Sequence, residues 1–435
     1  MIFLTSLLAF YLAWNLGAND VANSMGTSVG SKAVTLKQAL IIAGILEFTG
    51  AVLFGREVSA TIATKIANPE LFAQTPQVLL MGMVAVLLTC GIWLNIATFL
   101  GLPVSSSHAV VGAITGFACV AAGTQAVDWH SLGMISLTWI ITPVVSGAIA
   151  ALFYSQIKRW ILDHPDPITQ LQEWIPWLSA ALLGAFGIIV LPTLVENQLV
   201  AALPLPSHTI SLGLGAIAAI SLSLNSWRQL NQEGSGEDGE TRERRDAENS
   251  KFKIHASDSR LSTTVESLLA RFQLLSACFV AFAHGSNDVG NAIAPLAAIV
   301  YINRTHRVPQ PDFQIPLWIL VLGGVGIVAG LAVWGKKVIA TIGEGIIPLQ
   351  PSGGFCAELA TAVTILLASR LGLPVSTSHA LVGGVVGIGL VQNWRSVRFE
   401  TLRSVGLAWV TTIPIAAAVG AGMFVIGRLL SDFLN

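Results

Sequence analysis

Six hydroxyl side chains stand in two nearly identical sentences of a very apolar chain. "LGLPVSSSHAVVG" runs from Leu100 to Gly112, and "LGLPVSTSHALVG" from Leu371 to Gly383. They differ only at Ser106/Thr377 and Val110/Leu381. Gly101 and Pro103 discourage a continuous helix, and the residue before a proline is pushed toward extended geometry. Serine caps helices well, and proline is welcome at a helix start. The pattern predicts a break at 101–104 and a new helix from near Ser105. A helix N-terminus offers unpaired N–H groups and a partial positive charge. Beside the hydroxyls of Ser105, Ser106 and Ser107 it would cradle an anion. The second copy supplies Ser376, Thr377 and Ser378, and two such ends facing each other could enclose a tetrahedral oxyanion. The plainer alternative is two kinked helices whose serines bond their own backbone. Repetition favours the cradle.

A second pair of motifs carries acid. "GANDVAN" (Gly17 to Asn23) recurs as "GSNDVGN" (Gly285 to Asn291). Asn19, Asp20 and Asn23, with Asn287, Asp288 and Asn291, place two carboxylates in apolar segments. Asp20 and Asn23 are three apart and share a helix face. A charged Asp at mid-bilayer costs about 2.5–3.5 kcal/mol on insertion scales. Fixed positive charge is scarce: no Lys or Arg falls between Met1 and Gly30, or between Phe272 and Ile302. Arg370 is the one basic residue near the second hydroxyl cluster. Mobile cations must then balance the acids and an anion. Carboxylate, amide and hydroxyl oxygens are hard ligands, and Asp20, Asn23, Asp288 and Asn291 would suit Na⁺ by analogy with other hard cations. Alternatively the acids take protons. Either way the anion loads only with cations, which is symport.

Glu47 ("GILEFTGAV") and Glu358 ("GGFCAELATAV") are further acids in apolar context, at non-equivalent places of the two halves: alignment sets Ile327 opposite Glu47 and Leu87 opposite Glu358. His108 and His379 follow the Ser clusters; His284 precedes the second acid motif, where Leu16 stands in the first. A His beside Ser raises nucleophilic catalysis, but no third triad member is evident. The expected role of these histidines is bonding to backbone or hydroxyls, and no catalytic residue is assigned.

These residues need a membrane scaffold to hold them. The 435-residue chain is 53% hydrophobic and 11% charged, against about 25% charged in soluble domains. Its net charge of −1 argues neither for nor against a nucleic-acid partner, and none is expected. The four cysteines lie singly, so neither a disulfide framework nor a zinc site is suggested. A bilayer core needs roughly 20 apolar helical residues to cross. That ruler predicts an all-α polytopic protein of about a dozen segments: 2–18, 36–54, 78–99, 104–122, 132–154, 175–193, 204–226, 263–283, 316–334, 355–369, 375–391 and 404–430. The short, Gly- and Pro-interrupted ones are candidates for broken or re-entrant helices. The stretch 227–260 is strongly charged and reads as a disordered hydrophilic linker. The organisation is therefore a first transport repeat (1–155), connecting membrane helices (156–226), the linker (227–260) and a second repeat (261–435). Seven segments separate the repeat starts, which predicts inverted repeats with a site near the midplane.

In combination, "GANDVANSMGTSVGSKAVT" (17–35), "EFTG" (47–50), "GLPVSSSHAVVG" (101–112), "AHGSNDVGNAIAPL" (283–296), "GGFCAELATA" (353–362) and "GLPVSTSHALVGG" (372–384) resemble the PiT inorganic phosphate transporters. The resemblance implies an inverted-repeat helical fold, often dimeric, that moves phosphate with Na⁺ or H⁺ in a plasma (inner) membrane and needs no cofactor. It implies that Asp20 and Asp288 are transport-essential, with Asn23 and Asn291 in cation coordination. It further implies that Ser105, Ser106, Ser376 and Thr377 contact phosphate, and that Glu47 and Glu358 are the glutamates transport requires. Some relatives carry sulfate, so a sulfate permease on the same scaffold is the alternative.

Overall fold

The computed structural model describes residues 1–100, 104–196, 213–228, 253–310, 312–342, 347 and 349–434. Among these residues the chain is helical: α1 (Ile2–Gly30), α2 (Leu36–Phe54), α3 (Arg56–Thr64), α4 (Pro76–Leu100), α5 (Ser106–Ala122), α6 (Trp129–Ile157), α7 (Pro167–Glu196), α8 (213–228), α9 (Lys253–Thr305), α10 (Leu317–Ile342), α11 (Pro351–Arg370), α12 (Thr377–Asn393) and α13 (Phe399–Leu434). Nine of them are long and apolar enough to cross a membrane, so the chain is an integral multi-pass membrane protein.

Packing is reciprocal. Helix α1 lies along α10 as α2 lies along α9, and α5 lies on α13 as α12 lies on α6. Helices α4 and α5 form a hairpin that starts and returns at one end. There Asn68 N–H donates to the Ala126 carbonyl (2.8 Å), and Asp128 N–H to that of Ile66 (3.0 Å). Helices α11 and α12 form the matching hairpin, with Gly353 near the start of one against Ile388 and Gln392 near the end of the other. Along α1, Asn19 bonds Thr98 at the inner end of α4, while Thr27 and Ser28 bond Glu358 on α11. The two hairpins thus extend in opposite directions from tips that meet. Helices α1 and α9 run antiparallel, since Ser31 reaches Gln273 (2.6 Å) while Asp20 lies beside His284 and Asp288.

The apolar ruler cut two helices short. The segments 2–18 and 263–283 continue as α1 to Gly30 and as α9 to Thr305, because the Asn and Asp of the acid motifs meet partners across helices rather than ending a span. Of the linker expected at 227–260, residues 229–252 lie outside the described ones; 227–228 fall in α8, and α9 begins at Lys253. Extending a helix already nucleated by an apolar core costs little per residue. Of the break expected at 101–104, residues 101–103 lie outside the described ones; Val104 and Ser105 are non-helical and buried, and α5 starts at Ser106 as expected.

Two glycines set the crossings that carry the acids. A Cβ on Gly17 would overlap the Ile327 carbonyl, and one on Gly285 the Glu47 carbonyl. Each crossing lies three residues before an acid, Asp20 or Asp288. Overpacking a tight contact costs roughly 1–3 kcal/mol, so Gly285→Ala should lower the melting temperature of the purified protein by several degrees; an unchanged melting curve would contradict backbone contact there.

Candidate functional site

Ser105 and Ser376 cap α5 and α12. Their hydroxyls accept from the N–H of His108 (3.3 Å) and of His379 (3.4 Å). That leaves Ser106 and Ser107 in one first turn, and Thr377 and Ser378 in the other, all buried. The tips interlock. Ser107 Oγ donates to the Val375 carbonyl (2.9 Å), and Asn291 Nδ2 donates to Ser106 Oγ (3.2 Å) and Ser107 Oγ (3.1 Å). Thr377 Oγ1 donates to Asp288 Oδ2 (2.9 Å), and the hydroxyls of Ser376 and Ser378 lie 3.0 Å apart. The N–H groups of a first helical turn have no intrahelical acceptor, so two positive helix ends and their hydroxyls converge on one buried place.

The acids converge on the same place. One ligand atom each from Asp20, His284 and Asp288 lies within 4.8 Å of the others. His284 is wedged between two carboxylates: Nε2 is 2.9 Å from Asp288 Oδ2 and Nδ1 is 3.2 Å from Glu47 Oε1. Both contacts are at ion-pair distance. Glu47 also accepts from Ser24 Oγ (2.8 Å), and Asp20 Oδ1 from Asn23 Nδ2 (3.3 Å). Asp20 Oδ2, Asp288 Oδ1, Glu47 Oε2 and Asn291 Oδ1 are buried with no hydrogen-bond donor. Buried polar atoms are normally partnered. A set of buried oxygens without donors is a set of ligands for a hard cation.

One sequence expectation changes. His284 does not bond backbone or hydroxyl; it faces two carboxylates, a contact that a count of Lys and Arg alone omits. The signal was present, since Leu16 replaces it in the other copy. The amide nitrogens of Asn19 and Asn287 have partners on other elements: Asn19 donates to Thr98 (3.1 Å), and Asn287 to Ser369 Oγ (3.0 Å) and the Leu373 carbonyl (3.2 Å), which leaves Asn287 Oδ1 buried without a donor. They grip the inner ends of α4 and α11, where a polar side chain on a neighbouring helix can end a hairpin arm. Ser105 and Ser376 act as helix caps. By contrast, His108 and His379 bond backbone as expected. Their Nδ1 atoms meet the carbonyls of Trp409 (3.2 Å) and Trp139 (3.0 Å), a reciprocal pair.

Glu358 forms a separate nest. Its Oε1 accepts from Thr27 (2.5 Å), Ser28 (2.7 Å) and Gln273 Nε2 (3.2 Å), and its Oε2 accepts from Ser276 (2.8 Å). The side chain is wholly buried, with no Lys, Arg or His in ion-pair range among the described residues. Hydrogen bonds to charged groups contribute about 1.5–3 kcal/mol each, which offsets the burial of the carboxylate without neutralising it.

The profile of the phosphate transporter family matches residues 16–420. The chain is 38% identical to inorganic phosphate transporter 2-1, chloroplastic, of Arabidopsis thaliana, over 95% of this chain and 70% of that protein. A solved structure described as the sodium-dependent phosphate transporter superposes with a TM-score of 0.81 at 34% identity, covering 98% of this chain and 99% of that one.

Proposed function

Because the chain belongs to the phosphate transporter family, we propose that it is a secondary active transporter that carries inorganic phosphate across the plasma membrane by symport with Na⁺. Family membership makes it a transporter rather than an enzyme. The carrying observation is that Asp20 and Asp288, from opposite ends of the chain, lie together beside both hydroxyl-rich helix ends. An anion needs the helix ends, yet the acids repel it. Cations bound by the donor-free oxygens of Asp20, Asp288 and Asn291 relieve that repulsion, so phosphate is held only when they are present. His284 lies among Asp20, Asp288 and Glu47, and one imidazole cannot balance three carboxylates, so mobile ions complete the balance. The sodium dependence of the structural relative supports Na⁺ as that ion.

In this reading Ser106, Ser107, Thr377 and Ser378 donate to phosphate, with Ser105 and Ser376 shaping the turns. Residues 1–155 and 261–435 form an inverted repeat; the antiparallel run of α1 and α9 and the opposed hairpins support it. Labelled phosphate uptake into proteoliposomes tests the proposal. An inward Na⁺ gradient should drive accumulation at fixed pH, and a proton gradient without Na⁺ should not. Accumulation on the proton gradient alone would overturn Na⁺ coupling. Within the same assay, Ser106→Ala combined with Thr377→Ala should raise the half-saturating phosphate concentration about tenfold or more, as expected for loss of two hydrogen bonds to a charged ligand; an unchanged value would remove those hydroxyls from the cradle.

A further inference from the structure

A groove of about 900 Å³ runs between α2 and α10 on the membrane-facing side. The two helices are antiparallel, with Leu40 near Gly335 and Phe48 near Gly324. Gly44 and the buried Leu331 form the floor, and the exposed Ile41, Ile45 and Val325 form the rims. The one charged residue lining it is Lys37, exposed, in the first turn of α2 and so at the membrane boundary of a 19-residue span.

Two residues here are not explained by packing within the chain. A Cβ on Gly44 would lie 3.5 Å from Val328 Cγ1 and 3.9 Å from Leu331 Cδ1, ordinary contact distances. Unlike Gly17 and Gly285, Gly44 is therefore not required by a close backbone approach, although glycine inside a helix is less favourable than alanine by about 1 kcal/mol. Its effect is to hollow the groove. Lys37, for its part, sits at a helix N-terminus, where the dipole disfavours a cation. Lys32 is exposed close by, and the backbone of α10 brings positions Lys336 and Lys337 to the same end; no Asp or Glu occurs in 31–38 or 331–342.

We propose that this groove binds one anionic phospholipid, with acyl chain laid over Gly44 and headgroup phosphate at Lys37. The shape is long, apolar and open to the bilayer, and the positive charge lies at headgroup depth, where each basic residue attracts anionic lipid. A second copy of the chain is a poorer occupant. A two-fold axis along the membrane normal would bring the same lysines of both copies together at one depth. The groove backs onto the site: Glu47 projects inward from α2 three residues past Gly44, and α10 holds α1 through Gly330 against the Trp14 carbonyl. A bound lipid would brace both helices. That consequence rests on the transport reading; the binding itself does not.

Native mass spectrometry of the full chain, titrated with dioleoylphosphatidylglycerol or dioleoylphosphatidylcholine, tests the proposal. The wild type should retain one phosphatidylglycerol in preference to phosphatidylcholine. Lys37→Gln should cut that preference about fivefold, the factor one lysine supplies at an anionic surface. Gly44→Leu should remove one bound lipid of either kind, and Val328→Phe should do so from the α10 side, so a folding failure of one leaves the other readable. Wild-type retention by the filled variants would overturn the proposal, as would a preference indifferent to Lys37. So would a filled variant that loses a dimer while keeping its lipid. Phosphate uptake by Gly44→Leu is read separately, so a failure of the transport reading leaves the lipid result standing.

Discussion

Asp288→Asn should reach the membrane at wild-type levels and yet lose Na⁺-driven phosphate uptake, with apparent Na⁺ affinity weakened at least about 100-fold, or about 2.7 kcal/mol. The fold should survive because each neighbour keeps a partner. Thr377 Oγ1 can donate to an amide oxygen as it does to Asp288 Oδ2, and His284 retains Glu47. What disappears is one unit of negative charge among oxygens that have no donor. Asp20→Asn should behave alike, since Asn23 can still donate to the amide oxygen. Uptake by both variants at wild-type rates would remove the coupling proposal. Uptake lost together with the folded protein would instead point to structural acids, and the melting curve separates the two outcomes.

Glu358 permits a cleaner separation of charge from shape. Three of its donors converge on Oε1 and one on Oε2. In Glu358→Gln the amide oxygen can take the first three. The amide nitrogen then faces Ser276, whose hydroxyl can turn and accept. That variant should fold and still lose most uptake, because the nest no longer presents an anion to a cation. Glu358→Leu leaves the Thr27, Ser28 and Gln273 donors without that acceptor, each costing about 1–3 kcal/mol, while Ser276 keeps the Gln273 carbonyl, and should yield little folded protein. Full uptake by Glu358→Gln would make the carboxylate a purely architectural clasp joining α1, α9 and α11.

Much of this arrangement was legible in the residue string. The repeated Gly-Pro-Ser sentence announces a helix that starts in the middle of a membrane, because proline, serine caps and the absence of a charged flank leave few other readings. The acid motifs announce a site because carboxylates in oil demand company. Spatial convergence was legible only as an inference from repetition, since nothing in a linear string brings Asn291 to Ser106 or Thr27 to Glu358. The histidine at 284 was visible, yet its role was hidden: its partners Glu47 and Asp288 lie one on another helix and one a turn away. Asn19 and Asn287 were read with the acids because they are adjacent in sequence, but neighbours along a helix point about 100° apart. The ends of α1 and α9 were missed for a related reason. A hydropathy ruler treats a polar residue as an exit from the bilayer, whereas here each one is an entry into a buried network.

The replacement of Leu16 in one half by His284 in the other makes the two acids unequal. Asp288 Oδ2 meets both His284 Nε2 and Thr377 Oγ1, whereas Asp20 Oδ1 accepts from Asn23 and lies farther from the imidazole, within the same cluster. Two cations reaching this cavity would not find interchangeable berths. A chain that writes its motifs twice acquires, through one imidazole, an asymmetry that exact repetition would deny it.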